Sequence, residues 1–108
     1  MARKEGKATP KVISAWLYTD AGAIPLDTAE WYTWLESGQT FYVETPDGSY
    51  TARCEKRGRH GYVFWYGYKM VGKRQYKVYV GKSEDLSSAK LRDAAQRLAD
   101  KVAAQSAV

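Results

Sequence analysis

The chain reads as an α+β domain: a three- to four-stranded antiparallel meander packed on a C-terminal amphipathic helix, with a short helix ahead of it. Three observations predict this. The apolar period is helical over residues 27–38, alternating over 40–80, and helical again over 86–104. Turn residues punctuate the alternating stretch at Pro46-Asp47-Gly48, Gly58-Arg59-His60-Gly61 and Gly72-Lys73. A chain of 108 residues has room for one hydrophobic core but not for two.

Residues 1–11 are polar, with Arg3, Lys4, Lys7 and Lys11, and read as a flexible basic arm ahead of a single domain over residues 12–108. They contain no apolar segment of the secretory type. Val12 to Tyr18 reads as a short strand and Gly22 to Pro25 as a loop. Asp27-Thr28-Ala29-Glu30 has the form of a capping box, with Asp27 as the N-cap and Glu30 three residues on. Trp31, Trp34 and Leu35 follow at i, i+3 and i+4, and Gly38 is placed to end that helix. In the meander, Phe41 and Val43 alternate with polar residues, and Tyr50–Arg57, Tyr62–Val71 and Arg74–Val80 supply three further strands. Ser83 or Ser87 can cap the last helix, whose Leu91, Ala95, Leu98 and Val102 form one stripe.

Charge is distributed in blocks. Residues 12–48 hold six acids and no Lys or Arg, a formal −6. Residues 49–82 hold nine Lys/Arg against Glu55 alone, a formal +8, interleaved with eight aromatic residues. A basic, aromatic stretch written at strand period is suited to a polyanion, whereas scattered charge would say far less. Helices on one side of a sheet leave its other face open, so each strand divides into a core set and an exposed set. Tyr50, Ala52 and Cys54 point inward, against Arg53, Glu55 and Arg57; Tyr76, Val78 and Val80 point inward, against Gln75, Lys77 and Tyr79. In the strand between them both sets are apolar. The bulkier set, Phe64, Tyr66, Tyr68 and Met70, is assigned inward, leaving Trp65, Gly67 and Lys69 outward.

The expected nucleic-acid-binding face is therefore Arg53, Arg57, Trp65, Lys69, Gln75, Lys77 and Tyr79. Lys56, Arg59, Lys73, Arg74 and Lys82, at strand ends and turns, are expected to hold phosphates. A solvated sheet face is the plain alternative, but such a face mixes signs and does not present aromatics. Glu55 is read as half of a cross-strand ion pair or as an acceptor for a base amino group.

No catalytic set emerges, and the chain is not expected to be an enzyme. His60 is the sole histidine, in a basic turn, and Cys54 the sole cysteine, on the predicted inner face; together they make neither a disulfide nor a metal set. No cofactor is implied. Gly81-Lys82-Ser83 would end a phosphate-binding loop only if a glycine stood at position 76, where Tyr76 stands. The longest apolar or aromatic run, Tyr62 to Tyr68, is far too short for a membrane span, and a cytoplasmic, nucleoid-associated protein is expected.

Tyr79-Val80-Gly81-Lys82-Ser83, leading into Leu86-Ser87-Ser88-Ala89-Lys90-Leu91, resembles the last strand and helix start of plant AP2-type and phage-integrase arm-type DNA-binding domains. That resemblance covers residues 49–104. It implies a three-stranded sheet set in the major groove and backed by the C-terminal helix, with Arg53, Trp65 and Lys77 meeting DNA. Residues 24–36, with Tyr50-Thr51-Ala52-Arg53-Cys54-Glu55 and Trp65-Tyr66-Gly67-Tyr68-Lys69, resemble the N-terminal segment of MalT-like LuxR-class bacterial regulators and small stand-alone bacterial proteins. In that pattern Cys54 is often Lys, Phe64 often Tyr and Gly67 often Ala. The ATPase and helix-turn-helix motifs of those regulators do not occur in these residues.

The expectation is a small bacterial protein that binds duplex DNA through the basic sheet face, in transcription regulation or recombination. If ~5 phosphates are neutralised, log K should fall with log salt at a slope of about −4 to −5. RNA or single-stranded nucleic acid, bound by stacking, is one alternative partner. A homo-oligomer or a larger regulatory protein, met through the complementary acidic and basic blocks, is the other.

Overall fold

A computed structural model describes residues 9–57 and 62–106, apart from the side chains of Arg57, Tyr62 and Ser106. In chain order its elements are β1 (Lys11–Ile13), β2 (Trp16–Thr19), β3 (Gly22–Pro25) and α1 (Ala29–Leu35), then β4 (Phe41–Thr45), β5 (Gly48–Arg57), β6 (Tyr62–Val71) and β7 (Arg74–Lys82). A single 3₁₀ turn (Ser83–Asp85) leads into α2 (Ser88–Ser106). The α+β class, the antiparallel meander, the short first helix and the long C-terminal helix are all as expected from the sequence. The strand count is not: one sheet of seven strands runs in the order β3-β2-β1-β4-β5-β6-β7, where three or four were expected.

The three additional strands come from residues 11–25. Val12 and Leu17 are both buried, yet a single continuous strand would place them on opposite faces. A two-residue turn at Ser14-Ala15 resolves this by folding Val12 onto Leu17 across a β1–β2 hairpin. Ser14 adopts φ 57 to make the turn. Gly22–Pro25, expected as a loop, pairs with β2 instead. β1 joins the meander by pairing parallel to β4, Val12 opposite Val43, the one parallel pairing in the sheet; every other pairing is antiparallel.

Thr28, not Asp27, caps α1: its hydroxyl accepts from Trp31 N at 3.2 Å. Asp27, at φ 63, turns its carboxylate to the start of α2, accepting from Ser88 N and Ser88 Oγ at 2.7 Å each. A carboxylate there satisfies an otherwise orphan amide and complements the helix dipole. Ser87 Oγ also accepts from Lys90 N. Gly38, at φ 70, ends the turn after α1 as expected.

Both helices lie on one face of the sheet. The core beneath α2 is Tyr50, Ala52, Val78 and Val80 against Leu91, Ala94, Ala95 and Leu98. The core beneath α1 is aromatic: Phe41 has its ring centroid 5.6 Å from Trp31 and from Trp34, and 5.3 Å from Trp65. Each buried polar tip has an acceptor. Trp31 Nε1 donates to Leu86 O, Tyr50 Oη to Leu91 O and Trp65 Nε1 to Ser83 Oγ, each at 2.7 Å. Among the described residues no helix is long and apolar enough to cross a membrane.

Candidate nucleic-acid interface

Among the described residues nothing covers the face of the sheet opposite the helices, and the residues of that face follow from strand register. Reading across the sheet from β2, Tyr18 pairs with Lys11, Lys11 with Tyr42, Tyr42 with Thr51, Thr51 with Tyr68, and Tyr68 with Lys77. Side chains at paired positions project to the same side, so these six residues form one row over six strands. A second row carries Arg53, Tyr66 and Tyr79, and a third Glu55, Phe64 and Lys82. A bulge at Trp65/Tyr66 takes up the extra β7 residue between the last two rows.

The cations of this face sit on its rings. Lys77 Nζ lies 4.4 Å from the Tyr66 centroid and 5.4 Å from that of Tyr68. Arg53 lies over Tyr68 at 5.8 Å and Lys11 over Tyr42 at 5.7 Å. Glu55 accepts a short hydrogen bond from Tyr68 Oη and pairs with Lys77 Nζ at 3.4 Å, so the cross-strand ion pair is present with Lys77 as partner. Hydrogen bonding to Tyr68, aided by Glu55 and opposed by partial desolvation, holds the Lys77 ammonium above its ordinary pKa and therefore charged. Exposed rings flank this cluster: Tyr79 at 44%, Tyr18 at 48% and Trp16 at 43%.

Of the expected site residues, Arg53, Lys77, Tyr79 and Gln75 are exposed on the open face. Two are overturned. Trp65 has no exposed surface and lies on the helix-covered side, bonded to Ser83. Lys69 is on that side too, donating to Ser49 O at 2.9 Å. The inward and outward sets of β6 are thus the reverse of the expected ones. Gly67 lies under the helix because a bulkier residue would strike the Tyr50 ring, and Phe64, Tyr66 and Tyr68 face outward.

The residues expected to hold phosphates divide. Lys82 ends β7 opposite Phe64, and Lys73 is exposed in the β6–β7 turn. Lys56 lines a cavity on the covered side with Leu35, Gly38 and Cys54, while Arg74 donates to Gln105 Oε1 at 2.8 Å, against the end of α2. The side chain of Arg57, together with Arg59 and His60, lies outside the described residues, as do residues 1–8 of the arm. Cys54 faces inward as expected, its thiol donating to Gly38 O at 3.1 Å. The Ser83 hydroxyl is engaged by Trp65, a structural use of the Gly81-Lys82-Ser83 run.

Sequence reasoning put Lys11 in the flexible arm, where the structure has it opening β1, and missed Trp16, Tyr18, Tyr42, Tyr66 and Tyr68 as surface groups. For Tyr66 and Tyr68 a signal existed. A two-residue turn at Gly72-Lys73 pairs Val71 with Arg74, which forces Tyr68 onto the side of Lys77 and Tyr66 onto that of Tyr79.

No family model matches the chain, and neither a curated protein nor a solved structure shows significant similarity to it. Among the described residues no three His, Cys, Asp or Glu side chains are grouped to hold a metal ion.

Proposed function

We propose that the protein binds nucleic acid through the open face of its sheet, as a binding module and not as an enzyme. One observation carries this reading: the row Tyr18–Lys11–Tyr42–Thr51–Tyr68–Lys77, in which rings and cations share one uncovered surface. Cations meet the phosphates and rings meet the bases or sugars, the two elements from which nucleic-acid surfaces are built. Glu44 and Glu55 also lie on this face, but Glu55 is held by Tyr68 and Lys77, which limits its repulsion of a phosphate. The wider balance agrees, with a net charge of +5 over the chain.

The first test is the nucleic-acid content of protein purified at low salt, read from its absorbance at 260 and 280 nm and followed by titration of labelled oligonucleotides. The expected result is co-purifying nucleic acid and saturable binding that weakens with salt. Failure to bind single strands, duplex DNA and structured RNA at low salt would end the proposal.

A further inference from the structure

Given that nucleic-acid reading, on which this step rests, we infer that the ligand is a single strand whose bases stack on the open face, and not a duplex. The duplex expectation set Arg53, Trp65 and Lys77 together on one open face with Lys69 beside them, and Trp65 and Lys69 are on the covered side, opposite Arg53 and Lys77. What projects instead is ring surface. Large aromatics exposed on a helix-free face are unusual without a partner. Inside a duplex the faces of the bases are already stacked on one another, so only base edges are available to a protein. Unpaired bases offer the flat surface that Tyr79, Tyr18 and Trp16 match.

The dimensions agree. The major groove is about 12 Å wide and admits a two-stranded ribbon. The row from Tyr18 to Lys77 crosses six strands, which at about 4.8 Å per strand is roughly 24 Å. Most of it would lie outside a groove that received any part of it. Along this row Tyr18, Tyr42 and Tyr68 occupy alternate strands, about 10 Å apart, with Lys11 between the first two and Lys77 beyond the last. A strand laid across the sheet, perpendicular to the β-strands, meets ring and charged positions in turn, and bases stack on Tyr42 and Tyr68 as Lys11, Arg53 and Lys77 leave those rings for the phosphates.

The rings are also held before any ligand arrives. Tyr68 is anchored by Glu55, and Tyr79 stands edge-on to Tyr66 at 5.5 Å. Rings fixed in place lose little freedom on binding. Stacking serves every base, so the surface should tolerate sequence and discriminate strandedness.

The test is equilibrium binding of three labelled probes of one mixed sequence, about 16 nucleotides long: single-stranded DNA, single-stranded RNA and duplex DNA. Both single strands, or one of them, should bind at least ~10-fold tighter than the duplex; the better one identifies the source. Tyr79→Ala and Tyr18→Ala should each weaken single-strand binding at least ~5-fold, with Tyr79→Trp retaining it. Each variant is first checked for an unchanged far-UV circular dichroism spectrum and thermal midpoint. In the unaltered protein Trp16, the one strongly exposed tryptophan of four, should be quenched on binding, and Trp16→Phe should abolish that signal. Duplex binding equal to or tighter than single-strand binding, or tyrosine variants that bind as before, would overturn this inference while leaving nucleic-acid binding intact. Absence of binding to all three probes would remove both.

Discussion

A methyl group added at Gly67 would lie 2.9 Å from the Tyr50 ring and 3.4 Å from Leu98. The ring cannot swing clear cheaply, because its hydroxyl is tied to Leu91 O and the residue is almost fully buried. Gly67→Ala should therefore cost about 1–3 kcal/mol by overpacking, measured as a fall in the urea midpoint. Tyr50→Leu in the same chain should recover part of that loss, since the two residues touch directly. Tyr50 also sets a pH limit. Burial pushes its hydroxyl well above the ordinary value of 10.0, so the folded state holds the proton more tightly than the unfolded chain. A raised pKa stabilises the fold below about pH 10 and loses that contribution as the pH climbs further. Lys77, also raised, acts in the same direction. Tyr50→Phe should lose about 1 kcal/mol near neutrality, and its stability should then decline less steeply between about pH 10 and pH 11.

At the scale of elements, α2 does more than cover the core: it also occupies the β7 edge of the sheet. Arg97 Nη2 donates to Tyr79 O and Lys101 Nζ to Lys77 O, both at 2.8 Å. The match is metrical. Four helical residues rise about 6 Å, and two strand residues span about 6.6 Å, so side chains at i and i+4 meet alternate edge carbonyls. An edge strand otherwise presents open carbonyls to other chains. Arg97→Gln and Lys101→Met should each cost no more than about 1 kcal/mol, because both groups are solvent-exposed. The clearer effect should be faster hydrogen exchange in β7 and concentration-dependent self-association, followed by sedimentation.

The strands that the sequence revealed and those that it hid differ at this same scale. β5 and β7 were legible because one of their faces is polar, so alternation alone assigned both faces. β6 is apolar on both, and side-chain bulk was the wrong arbiter. The space beneath α2 admits Gly67 between Ala52 and Val78, a constraint set by the helix and invisible in β6 itself. The hairpin at residues 11–19 was hidden because Ser14-Ala15 lacks the Asn-Gly or Asp-Gly signature of a two-residue turn. With it were hidden Lys11, Trp16 and Tyr18, which only the pairing of β1 with β4 brings beside the meander.

Over the whole molecule, the acidic and basic blocks of the sequence become neighbours in one sheet, and the formal +8 of residues 49–82 does not all reach one surface. Of its nine cations, Arg53 and Lys77 are on the open face, while Lys56, Lys69 and Arg74 lie toward the helix side or are bonded there, and Lys82, at the end of β7, lines the same covered-side cavity as Lys56. Lys11 joins the face from outside the block. Lys11 and Arg53, with Lys77 once a phosphate replaces Glu55 as its partner, are the cations of that face set to meet phosphates, so its share of the salt dependence for a single strand should be a slope of about −1.4 to −2, shallower than the −4 to −5 that the sequence suggested. The basic residues of the arm could add to the total, so the decisive quantity is a difference. Replacing both Lys11 and Arg53 by Gln should make the slope shallower by about 1.4, near 0.7 for each phosphate no longer neutralised. The same charge change on the far side of the sheet, Lys90→Gln with Lys56→Gln, should leave the slope where it was. Binding titrated over ~50–200 mM salt measures all three proteins. Equal slopes for the two double variants would mean that the polymer is drawn to net charge alone, and that the open face has no privileged role.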